Sequence, residues 1–557
     1  VGKEEQATSK GNAAWRPPAR TVSSMFAMGP KIVARAFAVA VRRNLPHRTI
    51  AFIRQYRPRR PPTVTFKDAY LFAWSKMARI RQYRPRRPPT VTFKDAYLFA
   101  WSKMARCRPL LARDPAELSM VERVERGILK LVLAMPDGRH RRALRQFGIQ
   151  LERQGVSAAG RSIAQQHGVT MMIGTLGPGG AERQLVVTAR GLREGRKPSI
   201  RVACVNLSSP VSRFFLPELE SRDIAASVIG AEVDSNLEPA RRAVVDALPP
   251  ELRDDVALYA KTLAAQNPEI AHLWLDEVNI KGGIAAVLTG VPKIIISQRS
   301  LPPINFVFHQ PYMRESYRWL ARQPGVKMIN NSAAGARAYE AWLGLAKDSI
   351  GVVRNGYAFD ESELAGYKAD CAKLRQRVGI EPGAQVVGTV MRFTEEKCPM
   401  LWLEIAALIR RELPDVRFLI VGDGPLRAVM EARAAADDLA GAVFFAGHLK
   451  ESMAAIASMD LMLLTSRAEG LPNVLVEAQF LGVPAVTTPA GGAPEAVNHG
   501  KSGWVLQGWD AASSACQIVR LLRDGHWREA AAKDGPEFAF KRFGVQRAID
   551  ETLAVYG

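Results

Sequence analysis

Two patterns of apolar positions recur along the chain after about residue 165. Short, nearly continuous apolar runs alternate with longer stretches in which apolar residues return every three or four positions. The runs Val169 to Ile173, Arg201 to Val205, Lys293 to Ser297, Lys327 to Asn331 and Ile350 to Arg354 predict strands of one half. Val386 to Met391, Phe418 to Val421, Val443 to Ala446, Leu461 to Thr465 and Pro484 to Thr488 predict strands of another. Between them the spacing predicts helices at Ala181 to Leu192, Ile280 to Thr289, Ala333 to Leu343, Pro472 to Leu481, Ala511 to Leu522 and Arg528 to Lys533. Strands apolar throughout, alternating with helices, indicate parallel sheets covered on both faces, an α/β chain. Ligands of such sheets sit beyond the carboxyl ends of the strands.

Upstream the pattern is different. Asp114-Pro115-Ala116-Glu117 is a helix start, and Leu118, Val121, Val124, Ile128, Leu131 and Met135 follow at helical spacing until Pro136-Asp137-Gly138. Residues 111–166 thus read as a helical linker region. Residues 1–110 form a basic arm, expected to be disordered, that contains an exact tandem repeat: residues 53–79 are identical to 80–106. Two copies of a 27-residue unit fit no usual solenoid period.

The stretch from Leu461 to Gly503 carries the most chemistry. After its first strand, a loop with Glu469 and Gly470 leads through Leu471 and Pro472 into a helix bearing Glu477. A helix start at the end of a parallel strand offers backbone N–H groups and a positive dipole end, suited to a diphosphate. The two carboxylates would repel phosphate, so hydroxyls are their natural partners. Arg392 and Lys397, after the Val386 to Met391 strand, can grip a diphosphate, the first as a fork and the second as a point charge. Gly177-Pro178-Gly179-Gly180 is a glycine loop opening a helix, either a close approach for a phosphate or sugar or a tight packing turn. Its sixth position is Glu182, and Arg427 replaces a third glycine after Gly422 and Gly424, so neither loop is a dinucleotide fingerprint. Asn355-Gly356 reads as a turn.

Glu469 and Glu477, with seven residues between them in EGLPNVLVEA, and the following GVPAVTT and GGAPEAV resemble the E-x7-E motif of the retaining GT-B glycosyltransferases of family 4. GPGGAERQL, MINNSAAGARAYEAWLG and the Arg392/Lys397 pair are similar to further segments of that family, over about residues 165 to 555. The resemblance implies two Rossmann-like domains facing across a cleft. Residues 167–357 would be the acceptor side and 358–535 the nucleotide-sugar side, with a helix in 536–557 crossing back. It implies transfer of a sugar from a nucleotide-diphosphate sugar to an acceptor of a bacterial envelope polysaccharide, lipopolysaccharide or glycolipid, with retention and no metal or other cofactor. Arg392, Lys397 and Glu469 would act on the reacting centre. Gly179, Gly180, Gly470, Leu471, Pro472 and Glu477 would complete the donor site, Glu469 at sugar hydroxyls and Glu477 at the ribose.

This sequence departs from the pattern twice. Cys398-Pro399 stands where a glycine is usual, and the strand ending Ser297-Gln298 lacks the histidine of many relatives. Gln298 could hydrogen-bond a substrate but not act as a base, which leaves His272 and His309 as candidates.

Charge alters the picture only at the start of the chain. The formal net charge is +23, but residues 1–110 hold 24 Lys/Arg against 4 Asp/Glu and the remaining residues 53 against 50. The arm, rather than the body, is the candidate contact for an anionic membrane surface, with nucleic acid the less favoured partner. Five scattered cysteines without CxxC spacing predict a reducing, cytoplasmic setting; the arm and the resemblance together imply a place peripheral on the inner membrane face. The competing reading is a non-catalytic protein of the same fold whose arm binds a polyanion.

Overall fold

In the computed structural model the described residues are 138–153, 168–194, 199–231, 237–306, 308–449 and 452–557. The basic arm, its tandem repeat and the helix expected from Asp114 lie outside them. A helix at Gly138–Arg153 is the described part of the linker region.

Thirteen strands among the described residues form two parallel sheets. The first comprises β1 (Val169–Ile173), β2 (Ile200–Cys204), β3 (Ala225–Val228), β4 (Ile270–Trp274), β5 (Lys293–Gln298), β6 (Val326–Asn330) and β7 (Gly351–Val352), in the order β3-β2-β1-β4-β5-β6-β7. The second comprises β8 (Val386–Val390), β9 (Arg417–Val421), β10 (Val443–Gly447), β11 (Leu461–Leu464), β12 (Ala485–Thr487) and β13 (Gly503–Val505), in the order β10-β9-β8-β11-β12-β13. Each sheet winds outward in both directions from its first strand. The order therefore reverses between β1 and β4, and again between β8 and β11, the crevices where such sheets bind ligands.

Apolar runs make these strands because both faces are covered. Met171 and Ile173 of β1 join one apolar cluster while Met172 joins another; Ile295 of β5 separates likewise from Ile294 and Ile296. In the second sheet Met462 and Leu464 point one way, Leu461 and Leu463 the other. The period-two alternation of a strand distributes an unbroken apolar run to two cores.

The expected elements recur within a residue or two at most positions, and the exceptions are informative. β3, β4 and β13 had no counterpart in the expected strands: β3 is an edge strand with no fully buried residue, β4 carries His272 in its middle, and β13 is a three-residue edge strand where helix was expected. The segment expected at Arg528 to Lys533 is part of one helix, Gly525–Phe543, with Pro536 inside it. A boundary at 535/536 therefore cuts a helix. The chain crosses at Phe543–Val545, where Tyr357 N–H donates to Phe543 O at 2.8 Å and Val545 N–H to Tyr357 O at 2.9 Å. The final helix, Val545–Tyr556, then lies on the Gly180–Glu194 helix of the first half.

Candidate active site

The loops at the two switch points face each other. After β8, residues 391–397 turn back so that Lys397 Nζ lies 2.6 Å from Glu469 Oε1 in the loop after β11. Both side chains are largely buried. Thr465, at the end of β11, holds this arrangement: its hydroxyl donates to the carbonyls of Lys397 and Cys398. Arg467 N–H donates to Glu396 O at 2.8 Å. Arg392 extends into solvent, 78% exposed, 3.9 Å from Glu396. Burial raises the Glu182 carboxyl above its usual range, opposed by a backbone hydrogen bond and then by the charge of Arg392. The geometry thus brings Arg392, Lys397 and Glu469 to one mouth.

Cys398 occupies the position where a glycine was noted as usual, and its backbone explains that preference. It is left-handed, φ 50°, and directly precedes Pro399 at the first turn of the Pro399–Glu412 helix. A side chain there strains the backbone by about 1–2 kcal/mol.

The loop 469–472 is squeezed between the halves. A Cβ on Gly470 would come 2.5 Å from Arg299 O, and one on Gly492 would collide with Gly470 O, so both positions need glycine for close approach. The helix that follows, Asn473–Leu481, has Pro472 as its cap residue, which offers no capping side chain. Asn473 joins three segments there: its Oδ1 accepts from Tyr357 OH at 2.7 Å and from Asn355 Nδ2, and its Nδ2 donates to Gly180 O at 3.3 Å. A Cβ on Gly180 would lie 2.7 Å from Asn473 Nδ2 and shift that amide; one on Gly179 would displace the Glu182 carboxylate. Asn355 is more than the turn residue expected, since its amide also donates to Leu471 O.

Glu477 points into the same interface and is 2% exposed. Arg183, on the helix that the glycine loop opens, reaches it with NH1 at 2.7 Å from Oε1. Sequence reasoning missed Arg183. The available signal was its place three residues after Gly180, but a charge on a helix reads as a solvated face. A second carboxylate crossing between halves, Glu495, accepts from the N–H groups of Ala333 and Ala334 at 3.0 and 2.8 Å and pairs with Arg354 at 3.2 Å. It caps the Ala333–Leu343 helix from the opposite half, with Ser332 accepting from Gly335 N–H.

Gln298 and the two candidate histidines are all buried. Gln298 is buried with its amide toward Met328 Sδ. His272 is 1% exposed, its Nδ1 2.9 Å from Tyr556 OH under the final helix, and burial followed by the nearby Arg299 lowers its pKa to about 3. His309 is buried against Trp342. The residue that does reach the donor-side loop from the end of β5 is Arg299, through its backbone.

The sequence pattern described as Glycosyl transferases group 1 matches residues 384–524, spanning β8 to the end of the Ala511–Arg523 helix. The Vi polysaccharide biosynthesis protein VipC/TviE of Salmonella typhi is 28% identical over 403 residues, 68% of this chain and 70% of that protein. The 2-deoxystreptamine glucosyltransferase of Streptomyces kanamyceticus is 31% identical over 287 residues, 50% of this chain and 73% of that enzyme. Among solved structures, Anabaena Alr3699/HepE in complex with UDP and glucose superposes with TM-score 0.57 at 22% identity, over 70% of this chain and 99% of that one.

Proposed function

The chain belongs to the group 1 glycosyltransferases of GT-B fold, and from that premise we propose that it moves a sugar from a nucleoside-diphosphate sugar to a saccharide or lipid-linked acceptor in the synthesis of a bacterial envelope polysaccharide or glycolipid. The relative named for Vi polysaccharide biosynthesis and another named as a UDP-galactose:GlcNAc-diphosphoundecaprenol galactosyltransferase of Escherichia coli support that acceptor class. The HepE complex with UDP and glucose supports the donor class.

The observation that carries the reading is the 2.6 Å contact between Lys397 and Glu469. It sets a cation and a carboxylate side by side at the mouth where a sugar diphosphate has both a negative and a hydroxylated end. When the donor binds, its diphosphate takes the charge of Lys397 and Arg392, and its sugar hydroxyls donate to Glu469. As the bond from the anomeric carbon to the β-phosphate oxygen breaks, the electron pair stays on the phosphate, the acceptor hydroxyl oxygen bonds to the anomeric carbon, and its proton passes to the departing phosphate. Lys397, Arg392 and the N–H groups at the start of the Asn473–Leu481 helix hold that charge, with no metal required. Glu477 takes the ribose hydroxyls, with Arg183 fixing its carboxylate. Retention of the anomeric configuration is the stereochemistry that the resembled family implies. The basic arm brings the enzyme to the anionic inner membrane surface.

The direct test is release of nucleoside diphosphate from UDP-, GDP- and ADP-sugars. Wild type should turn over one of them, and Glu469→Ala should lose at least about 100-fold. Equal, slow release by both proteins would refute the assignment.

A further inference from the structure

Under the final helix, the face of the first sheet holds a small cavity that the transfer reaction does not use. It is lined by β4, β5, the Gly180–Glu194 helix and the Val545–Tyr556 helix, and about 10 Å³ of it is open to the centre of a water-sized sphere. That admits one atom-sized occupant and excludes a phosphate.

The polar groups at its walls have an unusual common character. His272 and Trp274 lie two apart on one face of β4, and Ser297 is the register partner of Trp274 on β5. Arg299 lies two residues beyond, its guanidinium carbon 4.5 Å from the centre of the Trp274 ring. His272 Nε2, Trp274 Nε1, Ser297 Oγ and Arg299 Nε are buried with no hydrogen-bond partner in the protein. Tyr556 OH lies 2.9 Å from His272 Nδ1, and in the tautomer where the hydroxyl donates, Nε2 carries the N–H. Four unmatched groups of this kind would each cost roughly 1–3 kcal/mol if nothing accepted from them. The other hydroxyls at the walls are occupied: Thr188 donates to Gln184 O and Thr552 to Ala548 O.

The charge is also one-sided. No lining residue is a carboxylate. Arg354 is neutralised by Glu495. Arg299, half-buried with its Nε enclosed, donates to the neutral amide of Asn355, and among the described residues no carboxylate pairs with it. Burial pushes its guanidinium down to about 9, the signature of a cation without a counter-charge. A water could satisfy some of these donors but would leave the charge uncompensated.

We propose that this cavity is a binding site for a single monovalent anion of halide size, chloride in the cell, held by Arg299, Trp274, His272 and Ser297. The ion ties the end of β5 to the helix that crosses back from the second half. Because Arg299 O abuts Gly470, the ion also braces the floor beneath the donor-side loop.

Crystals of the full chain soaked in sodium bromide test this directly by anomalous scattering. A bromide peak within contact of Trp274 Nε1 and Arg299 Nε is expected; no peak there overturns the proposal, since a water or an unoccupied site gives none. In parallel, the melting temperature is followed against sodium chloride, with sodium gluconate holding ionic strength constant. Wild type should show a saturable rise specific to halide. Trp274→Phe, which keeps the ring and removes the N–H, should need about tenfold more chloride for the same rise. An identical chloride response in both proteins would place the ion elsewhere and reject the site.

Discussion

Arg183 and Glu477 stand 294 positions apart in the sequence and 2.7 Å apart in the fold. One follows the glycine loop of the first half and the other lies on the helix of the second half that opens at the donor-side loop. The pair is therefore a latch across the cleft as well as a means of orienting Glu477. Glu477 is enclosed while Arg183 is 27% exposed, so solvent screens part of the attraction. A double-mutant cycle of Arg183→Ala and Glu477→Gln, read by thermal denaturation, should show coupling of roughly 1–3 kcal/mol. Additive losses would mean the latch contributes nothing.

Lys397 and Arg392 are predicted to differ in what they contribute. Lys397 touches Glu469 and is largely enclosed, whereas Arg392 reaches outward from the same loop. Lys397→Ala should lower kcat for donor turnover by about 100-fold or more. Arg392→Lys should raise the donor KM more than it lowers kcat, because a point charge replaces a two-pronged donor. Steady-state kinetics on the accepted nucleotide sugar checks both, and an unchanged kcat in Lys397→Ala contradicts the leaving-group role.

Cys398 sits in a left-handed backbone that glycine adopts freely. Cys398→Gly relieves that strain at the cost of a more flexible unfolded chain, and the net should be a stabilisation of about 0.5–1 kcal/mol. A calorimetric melting temperature at or below that of wild type would show that the contact of Cys398 Sγ with Glu395 O, 3.4 Å, outweighs the strain.

His272 gives a pH signature. Its pKa in the fold is near 3 against 6.5 when unfolded, because burial, then Arg299, opposes the charged ring, with Tyr556 OH at its Nδ1. Below pH 6.5 the unfolded chain takes up a proton that the folded one refuses. The histidine's contribution is thus complete above about pH 6.5 and is lost as pH falls toward 3, by at most about 1.4 kcal/mol per pH unit. His272→Gln should show a shallower loss of stability than wild type across that window. Parallel curves in urea titrations at several pH values would exclude this origin.

Deleting residues 1–110 is predicted to leave soluble donor turnover within about twofold and to weaken co-sedimentation with anionic vesicles, in proportion to the basic residues removed. Vesicle binding that survives the deletion would locate the membrane contact in the body.

Much of the fold was legible because its strands are buried on both faces. A run such as Leu461 to Leu464 has one plausible environment, and the helices between such runs follow from spacing. β4 escaped notice because His272 breaks its run, and that histidine is tolerated only where Tyr556, from the far end of the chain, meets it. β3 escaped because an edge strand with no fully buried residue has no apolar signature. Of the proposed site residues, Glu469, Arg392 and Lys397 stand out in the sequence by their places after strands, and Glu477 by its spacing from Glu469. Arg183, Asn355 and Glu495 were not, since each acts on a partner in the other half.

The sequence by itself determined two parallel sheets, the loops at their switch points, and which charged side chains those loops present, because hydrophobic period and strand-end position are local properties. Only the tertiary structure decided how the halves meet: which cation pairs with which carboxylate, where glycine is needed for backbone to approach backbone, and that the last helix covers a cavity of unmatched donors. Those contacts join residues hundreds of positions apart, and no local pattern encodes a distance that exists only after the chain has closed on itself.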